Sequence, residues 1–162
     1  MRSIFRLMSL IVMLLIPATA FAGTAPPTYG PVTDTTVSIG LRFEFGDVVK
    51  PSVVGAVRTT NTSEDNVVTG ALFDVAVPFG PDQNFLPTIR LMGVFGNPDV
   101  QGLAGVGFEF GENQGILAVG AQIKHLEGGV HVGFDGSFAP YAGASTYGGP
   151  PERSMTTLPP PG

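Results

Sequence analysis

The side chains best suited to chemistry are His131, Asp135 and Ser137, a base, an acid and a hydroxyl of one parity in the stretch Gly129 to Phe138. A serine nucleophile needs its base within hydrogen-bond reach. Residues four or more apart on one extended strand are separated by about 13 Å or more, because each residue advances about 3.3 Å. The trio therefore points to hydrogen bonding rather than catalysis, and no enzyme activity is expected. His125 stands alone at a turn without a second nitrogen ligand, so no metal site is expected either. Glu44, Asp74, Glu109 and Asp135 fall at matching ends of successive stretches, beside Asp47, Asp82 and Glu112. Such an acidic rim would hold divalent cations only loosely, since the chain has no compact Asp/Asn/Gly calcium loop. Gly105-Val106-Gly107 resembles the start of a dinucleotide fingerprint, but no helix follows and the third glycine is misplaced. No cofactor is implied.

The elements that must position these residues are strands. Val37, Ile39, Leu41, Phe43 and Phe45 alternate with Ser38, Gly40, Arg42, Glu44 and Gly46, the period-two pattern of a two-faced sheet. The same rule places strands near Ser52 to Thr60, Val67 to Val77, Phe85 to Phe95, Val100 to Phe110, Gly115 to His125, Gly129 to Phe138 and Pro140 to Tyr147. Turn chemistry separates them at Gly46-Asp47, Asn61 to Asn66, Gly96-Asn97-Pro98-Asp99, Gly111-Glu112-Asn113 and Glu127-Gly128-Gly129. Eight strands with short connections predict an all-β fold, an eight-stranded antiparallel up-and-down β-barrel. A faint repeat supports two similar halves. Phe43-Glu44-Phe45-Gly46-Asp47 recurs 65 positions later as Phe108-Glu109-Phe110-Gly111-Glu112, and Val54-Gly55-Ala56 recurs as Val119-Gly120-Ala121.

Outside the strands, Arg2 and Arg6 precede an apolar run from Leu7 to Ile16 that ends in Pro17 and Ala20-Phe21-Ala22. That is the pattern of a secretory signal peptide over residues 1–22, too short to span a bilayer. Residues 23–34 read as a flexible N-terminal segment, 35–147 as the barrel and 148–162 as a Pro-rich disordered tail. The chain after the signal carries six basic and thirteen acidic side chains, a net charge of −7 that repels phosphate backbones and disfavours nucleic acid as a partner. With no cysteine, neither a disulfide nor a thiolate metal site can hold the fold. Charged residues make up 13% of the chain, about half the usual share of a soluble domain.

The two faces of the strands differ in kind. One carries Val37, Ile39, Leu41, Phe43, Val53, Val57, Phe73, Val75, Ile89, Leu91, Val106, Phe108, Val119, Ile123, Val132 and Phe134 with no ionised group, which suits hydrocarbon. The other carries Arg42, Glu44, Arg58, Asp74, Arg90, Glu109, Lys124, His131 and Asp135 among many glycines, which suits a narrow lumen. Its four bases and four acids balance in number. They predict an interior charge network centred on Arg90, which lies between Asp74 on the third strand and Glu109 on the fifth. The repeat aligns Arg58 with Ile123 and the charge pattern aligns it with Lys124; the charge pattern is the one followed here.

With the faces assigned, the strand Val37 to Gly46, its echo Val106 to Gly111 and the segment Phe138-Ala139-Pro140-Tyr141-Ala142-Gly143-Ala144 resemble the small outer-membrane barrels with an OmpA- or OmpX-like transmembrane domain. The resemblance spans about Thr35 to Tyr147. It implies a Gram-negative cell outer membrane, with membrane lipid and the insertion machinery as partners and a structural or envelope-integrity role. In that class the last strand ends in an aromatic residue, a place that Tyr147 takes here. Oligomeric state is left open. The alternatives are a soluble periplasmic or secreted barrel or sandwich binding a small ligand or protein partner, and a lipid-modifying barrel enzyme using His131.

Overall fold

The structure, a computed structural model, describes residues 32–80 and 85–151. The expected signal peptide, most of the N-terminal segment, Asp82 and the tail beyond Pro151 lie outside the described residues. Eight antiparallel strands close into one up-and-down barrel: β1 (Val32–Phe45), β2 (Val49–Thr62), β3 (Val68–Pro78), β4 (Thr88–Gly96), β5 (Gln101–Glu109), β6 (Gln114–Ile123), β7 (Leu126–Gly133) and β8 (Phe138–Ser145). Connections 63–67, 97–100 and 124–125 lie at the end where β1 starts and β8 finishes, the terminal end. Connections 46–48, 79–87, 110–113 and 134–137 lie at the opposite, loop end.

The size of the barrel follows from its register. Val32 pairs with Thr62, which pairs with Val68, and the ladder continues through Gly96, Gln101, Gln122, Glu127 and Gly143. Gly143 in turn pairs with Arg42, so one circuit returns to β1 ten residues from its start. For eight strands that stagger sets a tilt of about 40° and a lumen only wide enough for side chains.

Every ionisable side chain on the eight strands turns inward: Asp34, Arg42, Glu44, Lys50, Arg58, Asp74, Arg90, Glu109, Glu127, His131 and Tyr141. None of the sixteen apolar residues assigned to the outward face is buried. Phe43, Phe73 and Phe108 do not meet at a centre, and Phe108 packs edge-on against Phe110 on the outer surface, ring centroids 5.0 Å apart. Inside, toward the terminal end, Val68, Leu72, Met92, Val94, Leu103 and Ala118 form an apolar cluster.

Several boundaries differ from the sequence reading, and three have a physical reason in the contacts at hand. β1 begins at Val32, because its first turns of ladder with β2 are held by polar side chains. The Thr35 and Thr59 hydroxyls bond at 3.1 Å and Asn61 Nδ2 donates to Thr33 Oγ1 at 3.0 Å, so this stretch shows no apolar alternation. Glu127-Gly128-Gly129 is strand, not turn, and the reversals fall at Lys124-His125 and at 134–137. The glycines make room instead: a Cβ on Gly120 would overlap the Tyr141 hydroxyl, and one on Gly129 the Tyr141 ring. Finally, residues 148–151 are placed rather than free. The Thr146 N–H donates to the Ile39 carbonyl at 2.8 Å, Gly148 lies beside His125, Gly149 (φ +111°) lies against the Pro98 carbonyl, and Pro150 is buried. The chain thus crosses the terminal end of the barrel.

The close approach of β4 and β5 is testable at Gly105, where a Cβ would overlap the Leu91 carbonyl and the Met92 Cα. Gly105→Ala should cost about 1–3 kcal/mol by overpacking. Gly55→Ala, where a Cβ meets nothing within 4 Å, should leave the urea unfolding midpoint unchanged. Equal midpoints for the two variants would contradict this packing.

Candidate functional site

The polar interior is built around Asp74. The β3–β4 register sets Asp74 directly opposite Arg90. Arg90 Nε donates to both carboxylate oxygens at 3.1 Å, and Nη2 donates to Oδ2 at 2.5 Å. Arg42 reaches across the lumen from β1, its Nη2 donating to Asp74 Oδ2 at 3.1 Å and its Nε to Glu127 Oε1 at 2.9 Å. Both guanidiniums lie over the Tyr141 ring, at 5.3 Å for Arg42 and 4.9 Å for Arg90. Cation–π attraction of this kind strengthens once water is excluded.

His131 joins the cluster from β7. Its Nε2 lies 3.0 Å from Arg90 Nη1 and its Nδ1 3.4 Å from Glu44 Oε1, while its ring lies 4.6 Å from that of Tyr141. A guanidinium only donates, so Nε2 is the acceptor and Nδ1 carries the proton toward Glu44. Both ring nitrogens are thereby engaged. Asp135 and Ser137 lie apart from them in the exposed 134–137 turn, where the Ser137 N–H donates to Asp135 Oδ1 at 2.9 Å. Ser137, through its hydroxyl and its N–H, holds the Asp135 carboxyl below the usual carboxylate range. The base, acid and hydroxyl do not assemble into a catalytic group.

A second layer lies nearer the terminal end. Arg58, 4% exposed, donates from Nη1 to Gln101 Oε1 at 2.6 Å and from Nη2 to Gln122 Oε1, and its guanidinium lies 4.1 Å above the Tyr147 ring. Among the described residues no carboxylate pairs with it. Between the two layers is a cavity of about 20 Å³, room for roughly one water molecule. Two of its lining residues, Arg42 and Tyr147, carry a buried Nη1 and a buried hydroxyl with no protein partner. At the loop end, Lys50 bonds Glu112 at 3.0 Å and lies 3.9 Å from Glu109.

Of the expected network, Arg42, Glu44, Asp74, Arg90 and His131 therefore meet in one cluster, Arg58 forms its own layer and half-buried Glu109 pairs with Lys50 at the mouth. Two assignments are corrected. Lys124 occupies the β6–β7 turn at φ +48° and is exposed, because β6 ends one residue earlier, at Ile123. Asp135 is likewise outside the lumen, because β7 ends at Gly133. The fourth interior base is Lys50, and the acid completing the Arg42 site is Glu127. Gln101, Gln122, Tyr141 and Tyr147 are the other contributors missed. Strand parity marks Tyr141, Gln101 and Gln122 as inward, the latter two sharing the parity of Glu109 and Lys124; without a charge they do not count toward the network.

Compared with protein-family models, curated proteins and solved structures, the chain matches none of them. The site is therefore read from its own geometry. That geometry fills the lumen with ionic and aromatic contacts.

Removing one partner of a buried ion pair strands the other charge, at a cost of about 3–5 kcal/mol. Arg90→Met should lose that much stability in urea unfolding. Arg58→Met, which orphans two neutral amides and no carboxylate, should lose less, and Lys124→Ala should stay within about 0.5 kcal/mol. A neutral Arg90→Met, or a costly Lys124→Ala, would overturn the layer assignments.

Proposed function

We propose that this chain is a non-enzymatic barrel of a Gram-negative outer membrane, with a structural role in the cell envelope and a lumen plugged by its own side chains. The observation that carries the reading is the direction of the side chains. No outward position on any of the eight strands holds Asp, Glu, Lys or Arg, while twenty-eight large apolar side chains are exposed. Monomers in water rarely expose a contiguous apolar patch of more than a few hundred Å². A closed barrel also meets the bilayer's demand that every strand edge be paired within the protein.

The signal-like segment of residues 1–22 supports export. Strands of 8 to 14 residues suit a tilted span, which needs about 9–11. A small-ligand site usually has about 300–1,000 Å³, and the cavity between the Arg42 and Arg58 layers holds about 20 Å³.

The test is electrophoretic mobility of the membrane fraction with and without boiling. A folded barrel in detergent should run faster unboiled than boiled, and the protein should require detergent for extraction. Recovery in the detergent-free soluble fraction would overturn the proposal. In planar bilayers the purified barrel should give no stable conductance steps, since Arg42, Asp74 and Arg90 bridge the lumen.

A further inference from the structure

The apolar outer surface is not centred on the barrel. At the terminal end the outward residues of β1 to β3 are Thr33, Thr35, Thr59, Asn61 and Thr69, with Thr35 bonded to Thr59 at 3.1 Å and Asn61 to Thr33 at 3.0 Å, while farther round the barrel Phe95, Ile123 and Leu126 are exposed. The connections there are mostly polar, Ser63-Glu64-Asp65-Asn66-Val67, Asn97-Pro98-Asp99-Val100 and Lys124-His125. The connections of the loop end carry more and larger apolar side chains. Val48, Phe79, Phe85, Leu86, Phe110 and Phe134 project from its connections, with Phe85 70% and Phe134 71% exposed. Of the ten described phenylalanines, only Phe95 lies at the terminal end.

Length makes this asymmetry consequential. On β1 the apolar run from Val37 to Phe45 rises about 20 Å along the axis at a tilt of about 40°. The apolar band of an outer-membrane barrel is about 25 Å tall. The strand cannot supply the difference downward, where Thr35 and Thr33 follow. It can be supplied upward, where the connections carry phenylalanine.

We infer that the barrel sits off-centre in a bilayer, with Val48, Phe79, Phe85, Phe110 and Phe134 of the loop end immersed at the headgroup–acyl boundary and the Thr-rich start of the β1–β2 hairpin standing clear in water. The inference rests on the membrane reading and adds depth and asymmetry to it. The occupant of the loop-end surface is lipid, because that surface is continuous with the apolar belt below it. Phenylalanine has no polar tip, unlike the Tyr and Trp that hold a ring at the headgroup level, so these rings favour the acyl side. Asp47, Glu112 and Asp135 at the same end are exposed and reach headgroups and water.

The chain contains no tryptophan, so single substitutions report depth directly. Phe85→Trp, Phe134→Trp, Leu91→Trp and Thr35→Trp would each be refolded into phosphatidylcholine vesicles, with folding checked by mobility before boiling. Quenching would be read with lipids brominated at shallow or deep acyl positions, and with aqueous acrylamide. Leu91→Trp should be quenched best by deep bromines. Phe85→Trp and Phe134→Trp should be quenched best by shallow bromines and be several-fold less accessible to acrylamide than Thr35→Trp. If Leu91→Trp responds to bromolipid while both loop variants respond only to acrylamide, the off-centre seating is wrong and the membrane reading stands. Equal bromolipid quenching of Thr35→Trp and the loop variants would also overturn the seating. If no position, Leu91→Trp included, responds to bromolipid, the membrane reading itself fails and the seating with it.

Discussion

An ionised carboxylate enclosed by eight strands is the constraint on which the interior depends. Asp74 is 1% exposed, and an isolated charge so placed would neutralise or unfold its surroundings. It persists because two guanidiniums reach it, Arg90 from the adjacent strand and Arg42 from across the lumen. Those arginines then need further acceptors and a surface to lie on. Glu127, His131 and the Tyr141 ring supply them, and Tyr141 in turn requires glycine at positions 120 and 129. One charge thus determines residue choice on β1, β3, β4, β6, β7 and β8.

The stagger of ten residues makes these contacts geometrically available. Gln101, Gln122, Glu127 and Arg42 lie on a single circuit of the ladder, so all four project into the lumen along one inclined ring. Arg58 meets the two amides on that ring, and Arg42 meets its carboxylate. Where the ring turns away from these residues, the interior is filled by the apolar cluster around Leu103 and Met92. Strands β3 and β4 therefore serve both regions: Asp74 and Arg90 join the ionic contacts with Arg42, Glu127 and His131, while Leu72 and Met92 join the apolar cluster that continues to β5 and β6.

Much of this was legible in the residues, because period-two alternation states which side chains share a face even when register is unknown. Arg42, Arg58, Asp74 and Arg90 were placed inward by parity alone. Parity fails at strand ends, where one residue decides between lumen and turn. Lys124 has inward parity but follows the last residue of β6, and Asp135 follows the last of β7. Glu127 was hidden by the glycines beside it, which read as a reversal but serve a close approach to Tyr141. Lys50 was hidden because Pro51 obscured the start of β2. Contacts such as Arg58 with Gln101 depend on the shear, which only the three-dimensional register supplies.

The distribution of apolar side chains bears on where such a molecule can be stable. Among the described residues the core holds eleven buried hydrophobic side chains, two of them alanines and two tyrosines engaged with arginine, against twenty-eight large apolar residues left exposed. In an apolar surrounding the exposed Val, Leu, Ile and Phe are solvated by hydrocarbon, and a closed barrel leaves no strand edge unpaired there. The same inward charges that make a poor core for a soluble domain then become the arrangement that keeps ionised groups away from lipid.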